Sequence, residues 1–158
     1  MDRELSKCSF KVRGAEETKK LGELFAKLLP KGAVVVLRGE LGCGKTTFVK
    51  GVARALGIEE DEVTSPTFTI VNEFEKLVHG DLYRVSDPEE LLFAGADQFL
   101  EDERLKLFEW GDPIESLTEV TAAVECRGSG DSRQFTIYDF TGKICPKLKR
   151  LWEELCRE

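Results

Sequence analysis

Apolar residues follow two different periods in the first third of the chain. Between Glu16 and Leu29 they recur every three or four positions until Pro30-Lys31-Gly32 stops the pattern, which predicts an amphipathic α-helix. Ala33 to Leu37 is instead a continuous, valine-rich apolar run, typical of a strand that is covered on both faces. Lys45 then opens a second predicted helix, which Gly57 ends.

In the middle of the chain, apolar and polar residues alternate with a period of two within shorter segments. Thr67 to Phe74 and Lys76 to Leu82 are predicted to be the two strands of a hairpin. Ser86-Asp87-Pro88-Glu89 carries a capping side chain and an early proline, so it predicts the start of a helix that runs to about Leu100. Arg104 to Trp110 is predicted to be another strand.

The last third of the chain predicts a second hairpin and a closing helix. Gly128-Ser129-Gly130-Asp131 separates two apolar segments, Glu119 to Cys126 and Arg133 to Phe140, as a hairpin turn does. Pro146 to Arg157 places leucines and a tryptophan at helical spacing. No internal repeat or low-complexity tract interrupts these segments.

Composition and charge narrow the class of protein. With 158 residues the chain can bury roughly two-thirds of the surface of its unfolded form, so we expect residues 1–158 to form a single domain. Its scarcity of Asn and Gln among many charged residues is typical of a heat-adapted organism. The net charge of −7 repels phosphate backbones and anionic membranes, so we expect no strong nucleic-acid binding by the chain alone. The basic residues near the C-terminus are either a solvated helix face or a docking patch: Lys143, Lys147, Lys149 and Arg150.

The cysteines and the polar N-terminus indicate a reduced, cytoplasmic protein. The five cysteines are odd in number, scattered, and never spaced as CxxC, which supports neither a disulfide framework nor a zinc site. We therefore expect free thiols. The first ten residues are too polar for a signal peptide, and no apolar run approaches the roughly 18 residues of a membrane span.

The segment from Gly39 to Thr46 matches the GxxxxGK[ST] pattern of phosphate loops, and it lies between a predicted buried strand and a predicted helix. Its glycines let successive N–H groups turn inward around an anion, and the helix adds its positive end. Lys45 is expected to reach the β- and γ-phosphates of ATP, and the Thr46 hydroxyl to bind Mg²⁺. The competing interpretation is an ordinary glycine-rich strand-to-helix turn. The expected nucleotide contacts are Glu40, Leu41, Gly42, Cys43, Gly44, Lys45, Thr46 and Thr47.

This loop and the elements around it predict an α/β fold of the P-loop NTPase type. We expect three layers, with a mixed, parallel plus antiparallel, central sheet flanked by helices. Hydrolysis needs an acid near the metal, and Asp81, at the end of a predicted strand, is the best candidate. By itself it is a weak signal, because only two apolar residues precede His79-Gly80. Cys43 is interpreted as a small residue that fits the loop, although its oxidation could block nucleotide binding.

Several separated motifs together resemble the TsaE family, also called YjeE, the bacterial ATPases of tRNA threonylcarbamoyladenosine biosynthesis. The resemblance runs from Glu16-Glu17-Thr18 to about Phe135, and it is loose after Asp112. Cys43 stands where the family more often has alanine. The matching motifs are the phosphate loop, Ser65-Pro66-Thr67-Phe68-Thr69, Asn72-Glu73-Phe74, His79-Gly80-Asp81-Leu82-Tyr83-Arg84 and Glu109-Trp110.

The resemblance implies a role for individual residues. It makes Lys45, Asp81 and Glu109 the catalytic residues, and Glu109 would orient the hydrolytic water or bind the metal through water. Thr46, Asp81 and Glu109 would hold Mg²⁺. Other implied positions are the switch residues Ser65 and Thr67, the nucleotide neighbours Trp110 and Thr18, and Tyr83 and Arg84 in the site or on a partner surface. His79, the only histidine, is expected to be structural.

The favoured function is a slow Mg²⁺-dependent ATPase. As the resemblance implies, it would work with the threonylcarbamoyl-transfer enzyme TsaD and its partner TsaB, and meet tRNA through that complex. A small-molecule kinase would need an acceptor pocket and an arginine-rich lid, and the arginines here do not group in that way. A GTPase is disfavoured because the NKxD pattern is absent: Asn72 is followed by Glu73. A nucleotide-gated binding module with little turnover stays open.

Overall fold

A mixed sheet of seven strands forms the centre of the structure, a computed structural model that describes residues 5–40, 42–63, 71–83, 85, 87–93, 95–110 and 112–157. The strand order is β1-β7-β6-β2-β5-β4-β3. The strands are β1 (Ser6–Arg13), β2 (Val34–Gly39), β3 (Val71–Glu73), β4 (Leu77–Asp81), β5 (Leu105–Glu109), β6 (Ala122–Ser129) and β7 (Ser132–Asp139). The helices are α1 (Gly14–Lys27), α2 (Lys45–Ala55), α3 (Pro88–Phe93), α4 (Ala96–Phe99), α5 (Asp112–Glu115) and α6 (Ile144–Cys156).

Parallel pairing is confined to the middle of the sheet. β2 pairs in parallel with β5 on one side and β6 on the other, and β4 pairs in parallel with β5. β3, β7 and β1 join antiparallel. The first four residues of β2 are all buried, as expected from its unbroken valine-rich run.

Helices cover the sheet on both faces and create two cores. On one face α1, α2 and α6 pack over residues such as Val35, Leu37 and Leu107. On the other, α3, α4 and α5 pack over Val36 and Phe108. This arrangement confirms the predicted three-layer α/β fold with a mixed sheet. None of the helices in the described segments is long and apolar enough to cross a membrane.

Two glycines hold α2 unusually close to α1. A Cβ atom at Gly51 would collide with the backbone of Lys19, and one at Gly22 with the carbonyl oxygen of Phe48. Only glycine therefore permits this backbone-to-backbone contact. Since α2 begins in the phosphate loop, the contact fixes the position of the loop relative to α1.

Most predicted elements are confirmed, with shifted boundaries, but the helix after Pro88 and strand β1 differ, and the short helix α5 was not predicted. The helix predicted from Ser86 to about Leu100 is wrong as one element: α3 and α4 are separate because Gly95 adopts φ +96° between them, and Ser86 lies outside the described residues. Strand β1 was not predicted, although Cys8, Phe10 and Val12 alternate along it and point into the core. Of the first strand of the predicted central hairpin, residues 67–70 also lie outside the described part.

The expectation of free thiols is wrong for four of the five cysteines. The structure joins Cys8 to Cys145 and Cys43 to Cys126 by disulfide bonds, with Cα–Cα distances of 5.8 Å in both pairs. Cys156 is the exposed free thiol. The pairs are 137 and 83 residues apart in sequence, so spacing could not reveal them.

Asp139 connects the end of β7 to the start of α6. Its fully buried carboxylate accepts hydrogen bonds from the backbone N–H groups of Thr141, Gly142, Ile144 and Cys145, at 2.7–3.1 Å. Burial would raise the pKa of Asp139, but these bonds and the one from the Thr141 hydroxyl outweigh it and lower the pKa. The carboxylate thus satisfies backbone donors at the first turn of α6.

Thiol titration tests the disulfides. In protein unfolded without reductant, we expect one reactive thiol, from Cys156, and five after reduction. Replacing Cys8 and Cys145 together with alanine should lower the free energy of unfolding by about 2–5 kcal/mol, because the unfolded chain loses its longest cross-link. Cys156→Ala is the control and should leave stability unchanged. Five reactive thiols without reductant would contradict both bonds.

The lowered pKa of Asp139 predicts a dependence of stability on pH. The ionised carboxylate stabilises the fold fully above its unfolded pKa of about 3.9, and that stability is lost as the pH falls through the folded pKa. We expect Asp139→Asn to cost about 1–3 kcal/mol at pH 7 and to flatten the acid limb of the stability curve. Denaturant unfolding at several pH values measures this, with the exposed Asp131→Asn as control. An unchanged acid limb would rule out the role of Asp139.

Candidate nucleotide-binding site

The phosphate loop leaves β2 at the carboxyl edge of the parallel strands. Gly39, Gly42 and Gly44 have φ angles of +148°, +81° and +111°, which favour glycine. At Gly39 a Cβ atom would also collide with the carbonyl oxygen of Cys126 on β6. Gly44 forms the N-cap of α2, so the N-terminal end of this helix faces the loop.

Lys45 folds back over the loop, and only 6% of it is exposed. Its Nζ atom donates to the carbonyl oxygen of Gly39 and, at 3.2 Å, to that of Glu40. The same atom lies 4.8 Å from the centre of the Trp110 ring. Burial lowers the pKa of Lys45, and the carboxylates of Glu109 and Asp81 oppose that shift. The ammonium group is therefore held by weak ligands that phosphate oxygens can replace.

The two predicted acids lie in one row across neighbouring strands. Leu37 of β2 pairs with Glu109 of β5, which pairs with Asp81 of β4. Glu109 is 4% exposed, and its Oε2 accepts a hydrogen bond of 2.8 Å from Nε2 of His79. One oxygen of Asp81 accepts from the backbone N–H of Tyr83 at 3.1 Å. Within the described segments, the other oxygen of each carboxylate makes no hydrogen bond.

Trp110 has an unusual backbone conformation at the end of β5. Its φ angle is +56°, rare for a residue other than glycine, and its N–H donates to the carbonyl oxygen of Leu37 at 2.8 Å. The ring lies between Lys45 and Tyr83, whose ring it meets edge-on at 5.3 Å between centres. This conformation directs the indole toward the loop rather than into a core.

A cavity of about 410 Å³ joins these groups. It brings together most of the residues that the sequence singled out and adds one that it missed. The lining residues are Gly42, Gly44, Lys45, Thr46, Thr47, Asp81, Glu109, Trp110 and Arg133.

The remaining predicted residues have other positions. Cys43 is buried beneath the loop in its disulfide with Cys126, and Glu40 contributes its carbonyl oxygen to Lys45. Thr18 does not line the cavity, because it is fully buried within α1 and its hydroxyl donates to the carbonyl oxygen of Gly14 at 2.9 Å. Four further predictions lie outside the described residues: Leu41, Ser65, Thr67 and Arg84.

Arg133 is the residue that sequence reasoning missed. It lies on β7, and its guanidinium approaches the Cα atom of Gly44 so closely that a Cβ atom there would collide with Nη1. Its Nε donates to the carbonyl oxygen of Gly130 at 3.0 Å. The loop and β7 are far apart along the chain, so the sequence alone does not predict this contact. It follows from the pairing of β6 with both β2 and β7.

The donor set suits Mg²⁺ bound together with a phosphate. Among the described residues, no three His, Cys, Asp or Glu side chains form a cluster that could hold a metal alone. The cavity instead offers the hydroxyl of Thr46 and the carboxylates of Asp81 and Glu109. Mg²⁺ commonly takes one or two carboxylates and completes its shell with water and substrate phosphates. The residues present therefore fit a magnesium–nucleotide complex.

Comparisons with known proteins agree on one family. A family model described as "Threonylcarbamoyl adenosine biosynthesis protein TsaE" matches residues 12–135. The tRNA threonylcarbamoyladenosine biosynthesis protein TsaE of Treponema pallidum (strain Nichols) is 39% identical over 130 residues, which cover 79% of this chain and 96% of that protein. The protein of the same name from Bacillus subtilis (strain 168) is 37% identical over 147 residues, covering 90% and 89%.

A solved structure supports the same relationship. The crystal structure of YdiB from Bacillus subtilis matches with a TM-score of 0.71 at 30% identity. The match covers 94% of this chain and 98% of that chain.

The position of Trp110 predicts a fluorescence signal. If a nucleotide draws Lys45 away from the indole ring, the emission of Trp110 should change when MgATP is added. The measurement uses Trp152→Phe, in which Trp110 is the only remaining tryptophan. Trp110→Phe, which keeps Trp152 in its contact with Phe10 and outside the cavity lining, is the control and should not respond. Constant Trp110 emission, with nucleotide binding shown by calorimetry, would refute this contact.

Proposed function

Because the chain belongs to the TsaE family of tRNA threonylcarbamoyladenosine biosynthesis, we propose that it is an ATPase that binds ATP with Mg²⁺ and hydrolyses it slowly. We propose further that it acts in an assembly with TsaB and TsaD, through which it meets tRNA. The observation that carries the proposal is the convergence of Lys45, Asp81 and Glu109 on one cavity at the phosphate loop.

Binding of the triphosphate begins with the loop itself. The N–H groups of the glycine-rich turn and the N-terminal end of α2 attract the phosphate oxygens. Lys45 exchanges its contacts with the carbonyl oxygens of Gly39 and Glu40 for contacts with the β- and γ-phosphates. Arg133, at the rim of the same cavity, adds a second cation on the side of β7.

The carboxylates of Glu109 and Asp81 support hydrolysis. His79 donates to Oε2 of Glu109, which fixes the carboxylate and leaves Oε1 to orient the attacking water. Asp81 is held by the N–H of Tyr83 and acts near the metal. Mg²⁺, when held by Thr46 and Asp81, would neutralise charge on the phosphate oxygens.

A nucleotide-gated binding module is the second candidate. Tyr83 is 63% exposed and its ring contacts Trp110, which contacts Lys45. If a nucleotide displaces Lys45, the change can therefore pass through Trp110 to Tyr83 at the surface. A partner protein bound there could respond to it. Turnover measured with TsaB and TsaD present separates this candidate from an ATPase, because the module would bind its partners with MgATP and release no phosphate.

Substitutions in the cavity should separate binding from turnover. We expect Lys45→Ala to abolish MgATP binding, because the cation that offsets the phosphate charge is lost. Glu109→Gln should keep MgATP affinity and lose about 100-fold or more in phosphate release, because the group that orients water is neutralised. Calorimetry and phosphate release are the measurements.

Lys50→Ala, on the same helix but outside the cavity, is the matched control and should behave as wild type. Undiminished binding by Lys45→Ala would refute the phosphate site, and undiminished turnover by Glu109→Gln would refute the role of Glu109.

A further inference from the structure

One part of the sheet surface is polar and carries no helix among the described residues. It is the outer face of β6, β7 and β1, on the side where α3 to α5 cover the other strands. Along β1 the burial alternates strictly, with Cys8, Phe10 and Val12 in the core and exposed or half-buried residues between them. β7 shows the same alternation. We call this surface the open face.

The strand register places the outward side chains of the open face in rows. Lys11 of β1, Gln134 of β7 and Arg127 of β6 form one row. Lys7 and Tyr138 share another, and Nζ of Lys7 lies 5.4 Å from the centre of the Tyr138 ring. Outward residues of one strand are about 6.6 Å apart, so the cations form a regular pattern rather than a single cluster.

The charge of the open face is opposite to that of the chain. Four exposed cations, Lys7, Lys11, Arg13 and Arg127, stand on it with one carboxylate, that of Glu125. The whole chain has a net charge of −7. The acidic groups that outnumber the basic ones therefore lie elsewhere.

These four cations also differ from other basic residues of the chain in their ion pairs with carboxylates. Elsewhere, Arg54 contacts three carboxylates, and Arg104 and Lys19 contact carboxylates as well. Within the part of the chain that the structure describes, none of the four cations of the open face forms an ion pair. Their charge is therefore available to an external anion.

Protection of the sheet edge explains only part of this pattern. Lysines on an exposed edge strand discourage pairing with another chain, and Lys7, Lys11 and Arg13 lie on the edge strand β1. Arg127 lies on β6, two strands further in. A cation there has no edge to protect, although it continues the row of Lys11.

We propose that the open face binds the sugar–phosphate backbone of tRNA, an inference that rests on the proposed function in tRNA modification. Backbone recognition uses Lys and Arg together with neutral Ser, Thr, Gln and Tyr side chains. The open face supplies this mixture: Gln134 is exposed, and the hydroxyls of Ser9 and Thr136 hydrogen-bond to each other at 3.0 Å beside the cations. Tyr138 adds its phenol hydroxyl, which donates to Oε2 of Glu125 at 3.5 Å.

The expected binding is weak and dependent on salt. The net charge of the chain opposes RNA, so the open face acts within an assembly and alone binds with a dissociation constant of about 10⁻⁴–10⁻⁶ M. Four phosphate contacts give a slope of about −3 when the logarithm of the binding constant is plotted against the logarithm of salt concentration.

Fluorescence anisotropy with a labelled, unmodified tRNA transcript tests the proposal. In Lys7→Gln/Lys11→Gln/Arg127→Gln we expect affinity at about 50 mM salt to fall at least about tenfold and the slope to change to about −1. The control is Lys143→Gln/Lys147→Gln/Lys149→Gln, which removes the same charge from exposed positions at the N-cap and in the first turns of α6, on the other face. It should keep affinity to within about twofold.

Three results would overturn the proposal. They are an absence of wild-type binding at about 50 mM salt, an equal loss in both triple variants, and an unchanged affinity in the open-face variant. Polyglutamate that competes as well as RNA per unit charge would assign the surface to an acidic protein instead. Calorimetry of MgATP binding, measured on wild type and on the same variants, keeps the two proposals separate. No MgATP binding by wild type refutes the nucleotide site, whereas MgATP binding with no RNA binding refutes the open face alone.

Discussion

The register of three parallel strands decides whether this molecule has a site at all. β2, β5 and β4 align Leu37, Glu109 and Asp81 in one row, two residues before the chain enters the phosphate loop at Gly39. A slip of one residue would turn a carboxylate to the opposite face, among the apolar side chains under α3 to α5. The valines of β2 pack into both cores, Val35 into one and Val34 and Val36 into the other. The buried centre of the sheet thus carries the two acids beside Lys45.

Lys45 links the three aligned strands to the chemistry of the phosphate loop. In the structure its ammonium group satisfies two carbonyl oxygens of its own loop and lies against Trp110. Under the proposed function a nucleotide replaces those contacts without moving α2, because the glycine contacts fix α2 against α1. The adjustment then falls on the side chains of Trp110 and Tyr83, at the end of β5 and beyond β4. Under the same proposal, partners would sense the bound nucleotide through this aromatic pair.

The sequence predicts those parts whose signals are local. The phosphate loop, the buried strand before it and the strand ending at Glu109 each carry a pattern within a few residues, and the fold class follows from their alternation. What it cannot predict depends on sheet order. Arg133 reaches Gly44, and Cys126 reaches Cys43, only because β6 pairs with β2 and β7 follows β6. The helix after Pro88 was predicted too long because Gly95 interrupts a segment with otherwise suitable residues. β1 has a clear alternation of apolar residues but pairs with β7, more than 100 residues later, which leaves no local partner.

The disulfide between Cys8 and Cys145 changes the effect of a single break in the backbone. It joins the first strand to the last helix, so nearly the whole polypeptide lies within one covalent ring. A protease that cuts a surface loop once inside this ring converts it into a linear molecule, and the two pieces stay attached. Damage that would release a fragment from an ordinary chain leaves every strand of this sheet tethered to its neighbours, in position to pair again.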